Sequence, residues 1–308
     1  MREIRYILVN FPTNLGDTIL SFPAFDLIKE NYPSSEIDAI VSSKTENFLS
    51  YHKFINQIFI YEKRWRIKEK IAFLKRLRKK YDLMVDFKNS FLPFLLRIKK
   101  HTPVIRRFSK DIHAKDRYLK IVENLVKKRK ISLKAEFVLD EERKNFWYSL
   151  NLDNAVFVAP SSNSSLKRYP PHELEELLSF LSSKKKVILL GSKKDSSLYR
   201  QISLSSVINL MGKTSFLDVW FLLKNFACIC ICVDSSILHL ASYLNIPTVA
   251  LFGPTQEEIY GPYSEKSVVI RKNLKCAPCK NSTCPYSGEC MKISADRVVE
   301  AVEKILKE

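Results

Sequence analysis

A turn near the start of the chain carries a carboxylate in a position suited to proton transfer. The apolar run 4–10 predicts a strand, and the segment Phe-Pro-Thr-Asn-Leu-Gly-Asp that follows predicts a turn into a helix. Gly16 permits a backbone conformation with positive φ, which would hold Asp17 at the carboxyl end of that strand. Asp17 is therefore a candidate general base, although an N-cap aspartate that accepts a backbone hydrogen bond has the same sequence signature.

Hydroxyl and ammonium groups gather after a second predicted strand, 155–159. Ser161, Ser162 and Lys167 lie in the loop between this strand and the next predicted helix. These groups suit a phosphate ligand, because they supply hydrogen-bond donors and a positive charge. A Ser- and Asn-rich loop is also a common connection without a ligand, so both interpretations stay open.

The densest group of candidate side chains lies in Cys-Val-Asp-Ser-Ser-Ile-Leu-His, residues 232–239. A buried strand is predicted to end at Asp234, and Ser235 and Ser236 begin a helix whose free N–H groups favour a diphosphate. His239 lies one turn further along, on the same helix face as Ser235. It is either a donor contact or a buried histidine with a satisfied hydrogen bond.

Four cysteines lie close together near the end of the sequence, at Cys276, Cys279, Cys284 and Cys290. Four thiols at this density fit a tetrahedral zinc site, although the second spacing is short for a zinc ribbon. Disulfides and free thiols are the alternatives. Disulfides are unusual in the cytosol outside hyperthermophiles, and the Lys-rich, Gly-poor composition leaves that exception open.

The strong positive charge implies an anionic partner. The chain carries 51 Lys and Arg against 33 Asp and Glu, a formal net charge of +18, with basic residues crowded into 63–80. Nucleic acid, a phosphorylated glycolipid and an anionic membrane all fit this charge, whereas a solvated helix face on a Lys-rich protein needs no partner. The basic residues that we take as candidate acceptor contacts are Arg64, Arg66, Arg106 and Arg107.

Signals for membrane insertion or export do not occur in the sequence. It has no run of about 18 apolar residues, and its N-terminus lacks the charged, then apolar, then small-residue pattern of a signal peptide. We therefore expect a cytoplasmic protein that meets a membrane only from its surface.

Strand and helix patterns alternate along the chain, which predicts parallel βαβ units. The predicted strands are 4–10, 37–41, 58–61, 83–86, 155–159, 186–190, 207–210, 228–233 and 248–251. The predicted helices between them are 17–31, 66–80, 89–98, 112–128, 171–183, 194–204, 215–225 and 235–243. At 308 residues two domains are expected, 1–150 and 151–308, with a polar, Lys-rich connection at 127–154 that contains one helix. Neither half contains G-x-G-x-x-G or G-x-x-x-x-G-K-[ST]. The main sequence evidence for a dinucleotide oxidoreductase or a P-loop protein is therefore missing. The predicted fold class is α/β, with two doubly wound Rossmann-like domains facing each other across a cleft and ligands outside the carboxyl ends of the strands.

Five strings occur in one order over nearly the whole chain: Asn-Leu-Gly-Asp with Pro23, Tyr32-Pro33, Asn-Leu-Met-Gly-Lys-Thr-Ser at 209–215, Val-Asp-Ser-Ser-x-x-His, and Pro-Thr-Val-Ala-Leu-Phe-Gly-Pro-Thr at 247–255. With these strings the chain resembles the ADP-heptose:lipopolysaccharide heptosyltransferases, glycosyltransferase family nine. The resemblance implies a GT-B fold and inverting, metal-independent transfer of heptose from ADP-heptose to the inner core of lipopolysaccharide. The sequence has no Asp-x-Asp pair of the kind that holds a metal-diphosphate, so no cofactor is required, and a structural zinc ion stays open.

The resemblance also assigns roles to particular residues, with Asp17 as the catalytic base of an acceptor-binding first domain. The donor and phosphate contacts that it implies in the second domain are Ser161, Ser162, Lys167, Gly212, Lys213, Thr214, Asp234, Ser235, Ser236 and His239. The family usually has Gly where Ser236 stands, and often Arg where Phe11 or Pro12 stands. The implied partners are an ADP-sugar, a phosphorylated lipid A-core acceptor and the cytoplasmic surface of the inner membrane, to which the protein would be peripheral.

Two other functions fit part of these observations. A GT-B transferase that uses another nucleotide sugar would share every feature. A basic nucleic-acid-binding protein would explain the charge, but not why Asp17, Lys167 and Asp234 all fall at strand-to-helix turns, and no nucleic acid is expected.

Overall fold

The computed structural model describes residues 3–77, 81–104, 106–109, 111–127, 131, 133–202, 204–279 and 281–307. The chain divides into two compact units, Met1–Val138 and Leu139–Glu308. This boundary lies before the predicted one at 150, because the helix predicted within the connection packs on the second unit. Arg143 and Trp147 of that helix donate hydrogen bonds to the buried carboxylate of Asp218, at 2.6 Å from Nη2 and 3.0 Å from Nε1.

Within its described residues, the first unit is built on a parallel sheet of five strands. They are β1 Tyr6–Asn10, β2 Glu36–Val41, β3 Gln57–Ile60, β4 Leu83–Asp86 and β5 Lys100–His101. The strands lie in the order β3-β2-β1-β4-β5, and every neighbouring pair is parallel. The chain moves outward in one direction from β1 to β3 and in the other from β4 to β5. The topological switch point therefore lies between β1 and β4.

The helices of the first unit are shorter than predicted. They are α1 Leu15–Leu20, α2 Phe22–Asn31, α3 Ser43–Leu49, α4 Ile67–Arg76, α5 Leu92–Leu95 and α6 Ala114–Val122, followed by a 3₁₀ turn at Glu123–Leu125. The helix predicted at 17–31 is divided at Ser21, whose hydroxyl donates to the carbonyl of Thr18 at 2.7 Å. Pro23 in the first turn of α2 has no N–H to continue the preceding helix. Of the helices predicted at 66–80 and 112–128, positions 78–80 and 128 lie outside the described residues.

The described part of the second unit is built on a parallel sheet of six strands. They are β6 Ala155–Ala159, β7 Val187–Leu189, β8 Val207–Asn209, β9 Ala227–Val233, β10 Thr248–Phe252 and β11 Ser267–Arg271. Their order is β11-β10-β9-β6-β7-β8, with all neighbours parallel, so the switch point lies between β6 and β9. Two parallel sheets with flanking helices confirm the predicted α/β class.

The helices of the second unit cover a core of continuous apolar strands. They are α7 Glu141–Ser149, α8 Pro171–Ser182, α9 Lys193–Leu198, α10 Phe216–Phe226, α11 Ser236–Tyr243, α12 Glu257–Tyr260 and α13 Ala295–Lys307. The helices α8 and α13 bury Leu174, Leu178, Val298 and Val302 in one apolar cluster with the strands. Among the described residues, no helix is both long and apolar enough to cross a bilayer.

Candidate active site

A cavity of about 360 Å³ opens in the second unit at the carboxyl ends of β6, β7 and β9. Its wall is formed by 161–163 after β6, 190–192 after β7, 214–216 before α10 and 235–237 at the start of α11. This is the topological switch point of the sheet, where open α/β sheets bind their ligands. The cavity therefore lies where the strand-end motifs of the sequence predict a ligand site.

The first turn of α11 contributes hydrogen-bond donors to this cavity. Ser235 is the N-cap in an extended conformation, and its side chain makes no capping hydrogen bond. Its Oγ is buried and has no hydrogen-bond partner within the described part of the chain. Because the N–H groups of a first helical turn have no partners within the helix, and the helix dipole is positive there, Ser235 and Ser236 suit an anion.

Two basic side chains that the sequence analysis did not select also line the cavity, Arg168 and Lys194. Arg168 is half-buried, and its Nε donates to the carbonyl of Ser162 at 3.3 Å, which holds the guanidinium beside the predicted phosphate loop. Lys194 is exposed at the start of α9. Hydroxyl, amide, guanidinium and ammonium donors around one cavity suit a diphosphate.

A carboxylate at the cavity wall, that of Asp195, is held by three donors. The hydroxyl of Ser161 donates to it, as do the N–H and hydroxyl of Ser192 at 2.7 and 2.6 Å. Burial by itself raises the pKa of Asp195, but these hydrogen bonds and the charge of Arg168 hold that pKa below its ordinary value. Because Ser161 has a single hydroxyl proton and gives it to Asp195, the phosphate contact predicted for Ser161 requires a change of partner.

Lys167 and Asp234 form a hydrogen bond with each other. The resemblance implied that each contacts the sugar donor separately. The Nζ of Lys167 lies 2.6 Å from Oδ2 of Asp234, whose side chain is 6% exposed. The buried side chain of His239 places its Nε2 3.9 Å from Oδ1 of the same carboxylate. The structure thus brings these three side chains together at the β9–α11 turn, and their roles toward a donor stay predictions.

Of the segment Gly-Lys-Thr predicted beside the nucleotide, Thr214 lines the cavity and the two residues before it do not. Gly212 has φ of +71°, and a Cβ there would lie 2.9 Å from the Cα of Lys193. Glycine at this position is therefore explained by backbone conformation and close packing. The exposed Lys213 donates from Nζ to the carbonyl of Asn209 at 3.0 Å.

In the first unit, a buried network centred on Asp86 occupies the switch point. Asn10, at the end of β1, donates from Nδ2 to Oδ1 of Asp86 at 2.8 Å. The hydroxyl of Ser90 donates to Oδ2 at 2.8 Å and the N–H of Lys88 to Oδ1 at 3.0 Å, so the carboxylate fixes the loop after β4. The guanidinium of Arg106 donates to the backbone carbonyl of Asp86, which places one predicted acceptor contact at the switch point.

Arg106 has hydrogen-bonding capacity left for a ligand. Its Nε is buried and has no partner among the residues that the structure describes. Burial lowers the pKa of Arg106, and the charge of Asp86 opposes that shift. The other predicted acceptor contacts, Arg64, Arg66 and Arg107, are exposed, and Arg66 is the N-cap of α4.

Lys88 is a basic residue near the same network that the sequence analysis missed. It is half-buried, and its Nζ lies 6.0 Å from the ring centroid of Tyr61. Burial lowers the pKa of Lys88, while the charges of Asp86 and Glu62 oppose the shift. Lys88 and Arg106 thus place two cationic side chains beside the Asp86 carboxylate at this end of the sheet.

Asp17 occupies the third position of α1, and the N-cap of that helix is Asn14. The capping alternative for Asp17 is therefore wrong. Burial raises the pKa of Asp17, an effect partly offset by a hydrogen bond of 3.4 Å from Nδ2 of Asn14. A carboxylate with a raised pKa is a stronger proton acceptor, which suits a general base.

The four cysteines near the end of the chain line one small cavity. The N–H of Gly288 donates to Sγ of Cys284 at 3.3 Å, and burial together with the charges of the other three thiols raises the pKa of Cys290. Each of the seven cysteines is a free thiol, and among the described residues no three His, Cys, Asp or Glu side chains are arranged to hold a metal ion. Zinc stays a prediction for these thiols.

Comparison with known proteins identifies relatives over nearly the whole chain. The family model described as glycosyltransferase family 9 (heptosyltransferase) matches residues 70–289. Lipooligosaccharide heptosyltransferase 2 of Campylobacter jejuni subsp. jejuni serotype O:2 (strain ATCC 700819 / NCTC 11168) is 27% identical over 324 residues, which cover 98% of each chain. The solved E. coli ADP-heptose lps heptosyltransferase II has a TM-score of 0.77 at 23% identity, with 98% of each chain covered. E. coli heptosyltransferase WaaC, solved with ADP, has a TM-score of 0.73 at 17% identity, covering 97% of this chain and 99% of that one.

The family match extends over both units, since it begins in the first and ends in the second. The solved structures share the fold of nearly the whole chain. The resemblance stated from the sequence is thus confirmed: this chain is a transferase that belongs to glycosyltransferase family 9, the heptosyltransferase family.

Proposed function

We propose that the protein transfers heptose from ADP-heptose to the inner core of lipopolysaccharide, with inversion at the anomeric carbon. The second unit binds the donor, and the first unit binds a phosphorylated lipid A-core acceptor at the cytoplasmic surface of the inner membrane. No divalent metal takes part, because fixed dipoles and cations do the electrostatic work. The similar proteins support this proposal, since they are named for heptose transfer and one was solved with ADP.

The observation that carries the proposal is the cavity at the carboxyl ends of β6 and β9, whose wall is rich in hydrogen-bond donors. It offers the N-terminal N–H groups of α11, the hydroxyl of Ser235 and the guanidinium of Arg168 to one ligand. A nucleoside diphosphate supplies matching acceptors and negative charge. The cavity of about 360 Å³ also falls in the usual size range of small-molecule sites.

In the proposed reaction, Asp17 removes the proton from an acceptor hydroxyl as its oxygen attacks the anomeric carbon. The attack comes from the face opposite to the diphosphate, so the configuration inverts. The bond from the anomeric carbon to the phosphate oxygen breaks, and ADP leaves with the electron pair. Lys167, Arg168 and the N-terminus of α11 stabilise the charge that grows on that oxygen.

We expect ADP to raise the melting temperature of the protein more than UDP, GDP or CMP does. A ligand present at 100 times its dissociation constant stabilises the folded state by about 2.7 kcal/mol. The measurement is a thermal-shift series at equal nucleotide concentrations.

Arg168→Gln should lose most of the ADP-dependent increase in melting temperature, because Arg168 lines the cavity. Arg200→Gln, an exposed arginine of the same unit, is the matched control and should keep it.

Equal or larger stabilisation by UDP would assign the protein to another nucleotide sugar and leave the fold and family in place. An unchanged ADP response in Arg168→Gln would contradict the assignment of the diphosphate to this cavity.

We expect Arg106→Gln to raise the acceptor KM by about 10- to 100-fold, because a hydrogen bond to a charged group contributes about 1.5–3 kcal/mol. ADP binding should not change, because the donor cavity is lined by residues of the second unit. Arg107→Gln makes the same change of charge at an exposed neighbour, and we expect a rise of a few-fold at most. Equal effects of the two variants would show that net charge, and not the half-buried guanidinium of Arg106, governs acceptor binding.

A further inference from the structure

Helices α4 and α5 cover the same face of the first sheet. Phe73 of α4 and Leu92 of α5 are buried in one apolar cluster with Leu8, Ile40 and Met84 of the strands. Side chains that share such a cluster lie on one side of the sheet. The outward surfaces of α4 and α5 are therefore on the same side of the unit.

Large apolar side chains stand on these outward surfaces. Ile67 and Ile71, one helical turn apart on α4, are 76% and 48% exposed. Phe91, Phe94 and Leu95 at α5 are 70%, 59% and 62% exposed. A single exposed apolar side chain is ordinary, but five large ones on two helices that cover one face of a sheet are not, and we take them together as a candidate interaction surface. We call these five residues the docking face.

The segments that carry the docking face are strongly basic. The exposed basic residues of 63–76 and 97–100 are Lys63, Arg64, Arg66, Lys68, Lys75, Arg76, Arg97, Lys99 and Lys100. Glu69 is the one acidic residue in these two stretches of sequence. The partner must therefore accept apolar side chains and carry negative charge at the same surface.

We propose that the docking face seats the protein on an anionic lipid bilayer. The apolar side chains enter the boundary between headgroups and acyl chains, and the surrounding lysines and arginines meet the anionic headgroups. A nucleic acid would pair with the cations and leave the aliphatic side chains of Ile67 and Ile71 in water, because it is bound through phosphate contacts and base stacking. This inference rests on the proposed function in one respect, since an enzyme with a lipid-anchored acceptor meets that acceptor at the bilayer surface.

Co-sedimentation with vesicles of phosphatidylethanolamine and phosphatidylglycerol tests this proposal, with phosphatidylcholine vesicles for comparison. We expect the anionic vesicles to bind the protein more tightly, and added salt to weaken the binding because it screens the headgroup charges. Phe94→Ser/Leu95→Ser should lose about tenfold or more in vesicle affinity, because two large apolar groups no longer leave water. Lys68→Glu/Lys75→Glu should lose about tenfold or more at low salt, since each basic residue contributes about fivefold.

The matched control is Leu198→Ser/Leu306→Ser, which removes two exposed leucines from the second unit and should bind vesicles as the unaltered protein does. Vesicle binding by Phe94→Ser/Leu95→Ser as tight as that of the unaltered protein would overturn the proposal, and so would the absence of binding to anionic vesicles at low salt. Turnover on a delipidated, soluble acceptor is measured in parallel. Normal turnover without vesicle binding would overturn the docking face alone, whereas vesicle binding without heptose transfer would overturn the proposed function alone.

Discussion

Replacement of Asp17 by asparagine should reduce turnover by about 100- to 10,000-fold, the usual effect of losing a general base. The amide keeps the size of the side chain but cannot take the proton of an acceptor hydroxyl. ADP binding should not change, because the residues that line the donor cavity belong to the second unit. Turnover at saturating substrate and the ADP-dependent melting temperature, measured on one preparation, check both expectations.

The pKa of Asp17 adds a stability test with a definite sign. Burial raises this pKa, so the folded state holds the proton more tightly than the unfolded chain does. The stability that the group contributes is present at low pH and is lost as pH rises through the folded pKa. The ionised carboxylate therefore destabilises the fold, and Asp17→Asn should melt at the same or a higher temperature at neutral pH. The acid limb of the kcat/KM profile should lie above the pKa of an ordinary aspartate and should disappear in the variant.

Asp116→Asn is the matched control for this experiment. Asp116 also stands at the third position of a helix, α6, but its side chain is 45% exposed and is paired with Lys115 at 3.1 Å. Both substitutions remove one negative charge from a first helical turn, so any effect on the helix dipole is shared. Asp116→Asn should keep near-normal turnover. An active Asp17→Asn enzyme would remove the proposed base and leave the donor assignment standing.

Buried strands were predictable from the sequence, and so were the edge strands β3 and β8, whereas the edge strands β5 and β11 were not predicted. The strands β4 and β6 have the predicted bounds, because strands covered on both faces of a parallel sheet are continuous apolar runs. The edge strand β5 has two residues, Lys100 and His101, and is defined only by backbone pairing with β4. A strand this short has no side-chain pattern that a sequence could show. The edge strand β11 contains the β-branched run Val268-Val269-Ile270, a strand signal that the sequence prediction missed.

The candidate site was predictable where position along the chain is informative. Ser162 and Ser235 line the cavity because they follow the carboxyl ends of strands, and strand ends can be located in a sequence. Thr214 also lines the cavity, and its position beside the nucleotide was implied by the family resemblance. Arg168 and Lys194 line the same cavity but are two among 51 basic residues. In such a basic chain, being a lysine or an arginine does not indicate which residues bind a ligand. Only the folded structure separates Arg168 and Lys194 from the other basic residues.

Pairing between distant residues was the part of the site that no local pattern contained. Lys167 and Asp234 are 67 positions apart, and Ser161 and Asp195 are 34 apart. Each pair joins turns at the carboxyl ends of neighbouring strands, so the order of strands in the sheet decides which turns meet. Lys167 and Asp234 were predicted to contact the sugar donor independently, whereas in the structure they contact each other at 2.6 Å.

Substitution of Lys167 by methionine should therefore affect both turnover and stability. Turnover should fall by about 100- to 1,000-fold, the usual loss when one preorganised donor to a developing negative charge is removed. The Asp234 carboxylate, 6% exposed, would lose the ammonium at 2.6 Å, and we expect a loss of about 1–3 kcal/mol in the free energy of unfolding. Steady-state kinetics and denaturant unfolding measure the two effects. Lys184→Met is the matched control, because its 2.8 Å pair with Glu303 is exposed and should contribute little.

The double variant Lys167→Met/Asp234→Asn decides whether the pair acts as a unit. If the two side chains bound the donor independently, the losses of turnover in the single variants would multiply. Because the ammonium and carboxylate form one partly buried contact, we expect the double variant to lose little more turnover than either single variant. Its stability should exceed that of Lys167→Met, since Asp234→Asn removes the charge that the first substitution leaves without its partner. Multiplicative losses, with no recovery of stability, would return Lys167 and Asp234 to separate roles and contradict the interpretation of the contact as a functional pair.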